Sequence, residues 1–339
     1  MALLAALLAG GLAPRAAGAQ GLCWCNPLLQ LLRRDTVGLS RVLARPAAYH
    51  VQILHTRIRR DAWGRAHFRR HGYRLRPREY FYPASTVKLP TAALALARLR
   101  ALGPQAPGLT ADSPMLTDSA FTGQTRVRCD TSSASGRPTV ANYVRKVLLV
   151  SDKYAYNRLY ELVGSGALQA GLRRLGLRRT RIVGRLSVGD VPPGSLHTNP
   201  VSFYADTAAR QLPYRQPAAC WPGLVPHWRL RGTAIGWAHV VGDAVVPGPL
   251  DLSQKNIFPL RDQQRALRAV LFPETLPARR HLALAPADYA LLRTAMSLAA
   301  SLHSRYDAAH YPATYAKFLL GGGGQAALPP GVQVFNKIS

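Results

Sequence analysis

Apolar residues recur along the chain with two periods, and the switches between them predict the elements. From Pro27 to Leu43, Leu28, Leu29, Leu31, Leu32, Leu39 and Leu43 fall at helical spacing and predict one amphipathic helix. Residues 49–58 then partly alternate. A turn near Asp61 to Arg65 and a second alternating run, His67 to Leu75, complete a predicted β-hairpin. Phe81-Tyr82-Pro83-Ala84 leads into an Ala/Leu-rich helix, Ser85 to Leu102, stopped by Gly103-Pro104. Pro90 lies early enough in it for its missing N–H to be tolerated.

Residues 104–138 are polar and turn-rich. Helices are predicted from Val140 to Val150 and from Tyr154 to Val163, the second ended by Gly164 and the two separated by Ser151-Asp152-Lys153. Residues 182–200 are Gly/Pro-rich, and residues 212–262 are Pro-rich around a strand-like Val240–Val246. Helical patterns follow at Leu260 to Leu271 and Pro286 to His303. Gly321 to Gly324 marks a flexible turn, and the last apolar run, Val332 to Asn336, alternates like a strand. No internal repeat or interdomain linker interrupts the pattern. Strands at both ends of a helical middle predict one α/β unit with an all-helical lobe.

At the N-terminus, Leu3 to Ala13 is apolar apart from glycines. It is shorter than the roughly 20 residues a bilayer span needs. Ala17-Gly18-Ala19 offers a small-x-small cleavage site, so residues 1–19 are expected to be an export signal and residues 20–339 one domain. An exported chain resides in the periplasm or another extracytoplasmic space. No later segment is long and apolar enough to span a membrane.

Composition changes this picture little. The 339 residues are 48% hydrophobic, enough for a sizeable core. Net charge is +28, from 44 Lys+Arg against 16 Asp+Glu, and only six of the cations are Lys. The arginines come as scattered pairs such as Arg33-Arg34, Arg69-Arg70 and Arg279-Arg280, without the organised basic run of a nucleic-acid binder. They read as a solubilising surface suited to an anionic envelope. Export would place Cys23, Cys25, Cys129 and Cys220 in an oxidising compartment, with three possible pairings. Neither these cysteines nor the ten dispersed His residues have metal-ligand spacing, so no metal or cofactor is expected.

The chemistry sits in Ser85-Thr86-Val87-Lys88. A serine hydroxyl needs a base to become a nucleophile. A Lys three residues later on a helix shares its face. Free N–H groups and the positive dipole end at a helix start stabilise developing negative charge and favour a neutral Lys. Alone, the pattern is equally an ordinary helix N-cap. A second polar element, Ser151-Asp152-Lys153, follows 66 residues on, and Lys337-Ile338-Ser339 closes the alternating C-terminal strand.

In that order and spacing the sequence resembles the class A β-lactamase and penicillin-binding protein superfamily, whose signature is Ser-x-x-Lys, Ser-Asp-Asn and Lys-Thr/Ser-Gly. Stretches such as Leu260 to Arg265 and Val270 to Glu274 resemble an envelope branch with an enlarged region before the last motif. The resemblance implies an antiparallel sheet flanked by helices plus an all-helical lobe. It also implies that Ser85 is acylated, that Lys88 removes its proton and that Ser151 passes a proton toward the leaving nitrogen. Lys337 would contribute positive charge beside Ser151 and help hold the substrate carboxylate, the Ser85 N–H would be an oxyanion donor, and Asp152 and Asn157 would fix loop geometry.

Three positions depart from the family pattern. Lys153 stands where the family has a substrate-binding Asn. It retains a donor for the substrate carbonyl and should lower the pKa of Lys88. Between Ile182 and His197 the only acid is Asp190, a possible general base in a turn setting rather than the Glu that class A enzymes use for deacylation. Ser339 stands where the motif has Gly, which predicts a C-terminally truncated domain lacking its final strands and one oxyanion N–H.

The expected function is therefore a monomeric serine hydrolase forming an acyl-serine on β-lactam amides. The alternatives are a peptidoglycan DD-peptidase, which acylates in the same way on a stem peptide, and a catalytically impaired envelope binding protein on the same fold.

Overall fold

The computed structural model describes residues 26–35, 37–188, 194–206, 208, 213–221, 230–303, 305–312, 315–316 and 330–339. The proposed signal segment, Cys23, Cys25, Asp190 and the glycine run lie outside these residues. The chain divides into two compact units, Met1–Arg74 and Leu75–Ser339.

In the first unit the expected single helix from Pro27 to Leu43 is broken. Helix α1 spans Pro27–Arg34, capped by Asn26, whose side chain accepts from the Leu28 N–H, and α2 spans Ser40–Ala44. The break lies at Asp35, whose carboxylate accepts the Gly38 N–H at 2.6 Å. A short acid that captures a nearby backbone donor competes with helical bonding, and this overrides the leucine period. The hairpin forms as expected: β1 (Ile53–Arg60) pairs antiparallel with β2 (Ala66–Tyr73), from Ile53 opposite Tyr73 to Arg60 opposite Ala66. Asp61 organises the turn by accepting from the N–H groups of Trp63 and Arg65.

The second unit is built around α3 (Lys88–Leu102), which buries twelve of its fifteen residues. A helix that is Ala- and Leu-rich all round belongs at the centre of a helical layer. The three-residue β3 (Met115–Thr117) follows in the stretch that reads as turn-rich. Next come α4 (Val140–Leu149), capped by Thr139, α5 (Lys153–Val163), capped by Asp152, and α6 (Ser165–Arg174). Gly164, with φ +74°, separates α5 from α6, a left-handed turn that favours glycine. Helix α3 packs against α4, α5 and α6.

Strands β4 (Val201–Phe203) and β5 (Tyr214–Gln216) join β3 in an antiparallel sheet ordered β3-β4-β5. Met115, Val201 and Phe203 carry this sheet into the main hydrophobic core. The strand-like Val240–Val246 is instead a hairpin. Strands β6 (Ala234–Ile235) and β9 (Leu250–Asp251) form the base of a ribbon, and β7 (Ala238–Val241) and β8 (Ala244–Pro247) form its outer part. The chain reverses at Gly242, with φ +61°, so the valine run folds back on itself.

Helices α7 (Leu260–Leu271) and α8 (Pro286–Ser297) pack together, α7 also touching α3 and α8 touching α4. Helix α8 stops short of His303, at Ser297, and a separate 3-10 turn spans Ala300–Leu302. The C-terminal run, expected as a strand, has no ladder partner among the described residues. The Asn336 N–H donates to the Met296 carbonyl at 3.3 Å. The molecule is thus a mixed helix and strand protein with small antiparallel sheets, consistent with a β-lactamase-like fold.

Candidate active site

Ser85 lies in a 3-10 turn, Ala84–Val87, that feeds directly into α3. The turn is pinned by Thr86, whose N–H and hydroxyl both donate to the Pro83 carbonyl, at 2.9 and 2.6 Å. Its first residue, Ala84, has φ +36°, unusual for a side chain other than glycine. Lys88 opens the α-helix, so the three-residue spacing places its Nζ 2.7 Å from the Ser85 Oγ.

Ser151 arrives from the junction of α4 and α5 with φ +58°. A non-glycine residue held there costs about 1 kcal/mol or more. Its neighbour Asp152 holds the conformation from one side, donating its N–H to the Lys146 carbonyl at 3.2 Å and accepting the Ala155 N–H at 2.8 Å as the α5 cap. The outcome is that two Ser151 acceptors face Lys88. Its carbonyl takes a short hydrogen bond from the Lys88 Nζ, and its Oγ takes another at 3.1 Å. From the other side, the Lys337 Nζ donates to the same Oγ at 2.8 Å and to the Ile338 carbonyl at 2.6 Å. The Ser339 hydroxyl ties this terminal segment to the serine turn through the Pro83 carbonyl, at 3.2 Å.

Lys88 is only 2% exposed, and its three ammonium hydrogens match its three acceptors, Ser85 Oγ, Ser151 O and Ser151 Oγ. Burial lowers its pKa to about 8; the Asp152 carboxylate opposes that shift and the Lys153 charge adds to it. The ammonium form is thus held in place while its proton is made easier to lose. In the neutral form two N–H groups still reach Ser151, and the lone pair is free to accept the Ser85 hydroxyl.

The other sequence-derived residues take varied places. Lys153 is exposed, its Nζ 5.4 Å from the centroid of the Tyr154 ring, so it acts on Lys88 through its field rather than by contact. Asn157 is buried and clamps the Leu186 backbone both ways, donating to the carbonyl at 3.1 Å and accepting the N–H at 2.8 Å. Asp152 also faces the Lys146 Nζ at 3.8 Å.

Two supports are not evident from the sequence pattern. Lys146 pairs with both Asp152 and Asp130, the latter at 3.1 Å. Glu161, buried on α5, binds Arg158 at 2.6 Å and Arg185 at 3.1 Å, and so ties the 185 region to the helix that begins at the site. One compositional signal points to the first. Only six of the 44 basic residues are Lys. Two of them bond to Ser151, a third pairs with Asp152, and a fourth, Lys153, is two residues on. Arginine cannot give up its proton near neutral pH, and its planar fork fits poorly where a compact charge is needed. Lysine is therefore concentrated where those properties matter.

A buried Lys hydrogen-bonded to a Ser hydroxyl at the head of a central helix is an arrangement used by serine hydrolases with a lysine base. The model of the Beta-lactamase enzyme family matches residues 67–212, a span that includes Ser85, Lys88 and Ser151 and ends before Lys337. This match supports a place for the chain in the β-lactamase and penicillin-binding-protein-like superfamily of serine hydrolases. No curated protein matches the chain.

Proposed function

We propose that the chain hydrolyses β-lactam amides through an acyl-Ser85 intermediate. The observation that carries this reading is the position of the Lys88 Nζ, 2.7 Å from the Ser85 Oγ and 3.1 Å from the Ser151 Oγ. Neutral Lys88 accepts the Ser85 proton as Oγ attacks the amide carbon. The Ser85 N–H, at a helix start where backbone donors lack intrahelical acceptors, faces the developing oxyanion. As the C–N bond breaks, the Ser151 hydroxyl gives its proton to the leaving nitrogen and recovers one from the Lys88 ammonium. Lys88 returns to its neutral form. Lys337 orients the Ser151 hydroxyl and supplies positive charge for a substrate carboxylate.

A second reading, a DD-peptidase, acylates Ser85 in the same way on a peptidoglycan stem, expelling D-Ala, and differs in its substrate and in how slowly a penicilloyl-enzyme is hydrolysed. One observation favours it. Among the described residues, the side-chain partners of Ser85, Lys88 and Ser151 are one another, the Ser151 carbonyl and Lys337, with no carboxylate to activate a deacylating water. Asp190 lies outside the described residues.

A fluorescent penicillin tests both readings. Label that appears on Ser85 and decays as drug is consumed supports the first. Persistent label, with release of D-Ala from a D-Ala-D-Ala peptide, supports the second. Absence of label on the folded protein sinks both.

A further inference from the structure

The ribbon from Ala234 to Asp251 is anchored at its base and bare at its outer end. At the base, Ile235 packs against a small buried cluster of Tyr80, Leu252 and Ile257. Beyond it Trp237 is 84% exposed, Val240 68%, Val245 66% and Val241 58%. Val240 stands opposite Val245, so these two share one face, and Val241 occupies the other. The apolar surface is therefore two-sided. Soluble proteins rarely leave such a patch on a two-stranded element without a partner.

A flat partner surface, such as a second copy of the chain, covers one face of a ribbon and leaves the other wet. A lipid interface surrounds it. Three further features agree with lipid. The exposed Trp has the amphipathic ring favoured at headgroup depth. The chain carries a net charge of +28, which favours an anionic surface. Exposed Arg78 and Arg231 sit together beside the base, the Arg231 N–H donating to the Arg78 carbonyl at 2.8 Å. Asp243, in the turn between β7 and β8, opposes deep entry and sets a shallow position.

We propose that the β7–β8 ribbon is a shallow docking element for an anionic lipid bilayer. The test is flotation of the full-length chain with vesicles of phosphatidylcholine alone and of an equal mixture with phosphatidylglycerol. Binding is expected with the mixture and not with phosphatidylcholine alone. Replacing Trp237, Val240 and Val245 together by Ser should weaken binding about 100-fold. The charge-removing Asp243→Asn, which keeps side-chain shape and does not touch the ribbon's apolar face, should strengthen it about threefold. Equal binding to both vesicle types overturns the proposal, as does a triple variant that binds like the parent or an Asp243→Asn variant that binds more weakly. A dimer in vesicle-free solution that the triple variant dissolves, without vesicle binding by the parent, overturns it in favour of a second copy.

Discussion

Helix α3 and the β7–β8 ribbon belong to the same compact unit and are both rich in aliphatic residues, yet they meet opposite environments. Helix α3 is enclosed by α4, α5, α6 and α7 and buries even Lys88 and Thr91. The ribbon leaves most of its valines in solvent. Hydrophobicity therefore does not by itself decide burial. A helix surrounded by others can bury its whole circumference. A two-stranded ribbon needs a layer on each face, and the described chain supplies none. The enclosed helix can then take in a few polar groups, provided each finds partners. Thr91 donates to the Val87 carbonyl at 2.9 Å, and Lys88 fills all its donor positions.

The largest expected effect comes from the chemistry that this enclosure allows. Ser85→Ala should abolish covalent labelling by a fluorescent penicillin, and Lys88→Met should slow it about 1000-fold, measured by stopped-time labelling. The same Lys88→Met change should stabilise the fold by about 2 kcal/mol near neutral pH in urea unfolding, because it removes a charge from a dry site. Destabilisation by Lys88→Met would show that the hydrogen bonds of Lys88 outweigh the cost of burying its charge.

The pH dependence has a definite sign. The Lys88 pKa falls from the ordinary 10.5 to about 8 on folding. Between those values the unfolded chain binds a proton that the folded chain has released. Stability contributed by this group is therefore least below pH 8 and rises with pH across that window. The rate of acylation should climb about tenfold per pH unit below the Lys88 pKa and level off above it.

Packing predictions separate the two regions directly. Leu96→Ala, in the centre of α3, should lower stability by about 3 kcal/mol, and Val240→Ala on the ribbon by under about 0.5 kcal/mol. Gly171→Ala should cost about 1–3 kcal/mol, since an added Cβ on α6 would stand 2.6 Å from the Leu94 Cδ2 on α3. Equal losses from Leu96→Ala and Val240→Ala, by thermal or urea unfolding, would break the contrast. The smallest effect is electrostatic. Lys153→Asn removes a charge that lowers the Lys88 pKa, so the rising limb of the acylation profile should move to higher pH, with a rate loss at pH 7 of less than about tenfold.

Local chemistry made much of this legible. Asp152 and Gly164 bound α5, and α7 spans the same residues as its apolar period, because caps and periods act over one or two turns. The reach from Lys88 to Ser85 follows from helical spacing alone. Other features escaped for equally local reasons. Asp35 broke the leucine helix by capturing a backbone donor, and Gly242 turned a valine run into a hairpin.

The sequence by itself determined the Ser-x-x-Lys pair, the main helices that carry it and the order of the polar elements along the chain. The family resemblance implied that Lys337 lies beside Ser151, and the tertiary structure makes that a direct contact, a 2.8 Å hydrogen bond between residues 186 apart in the chain. Only the tertiary structure decided that Lys88 is desolvated and that Lys146 and the Glu161 pairs brace the surroundings. Periodicity reports on neighbours three or four residues away. Desolvation and long-range hydrogen bonds depend on which helices close over the site, and that is settled by packing of the whole core.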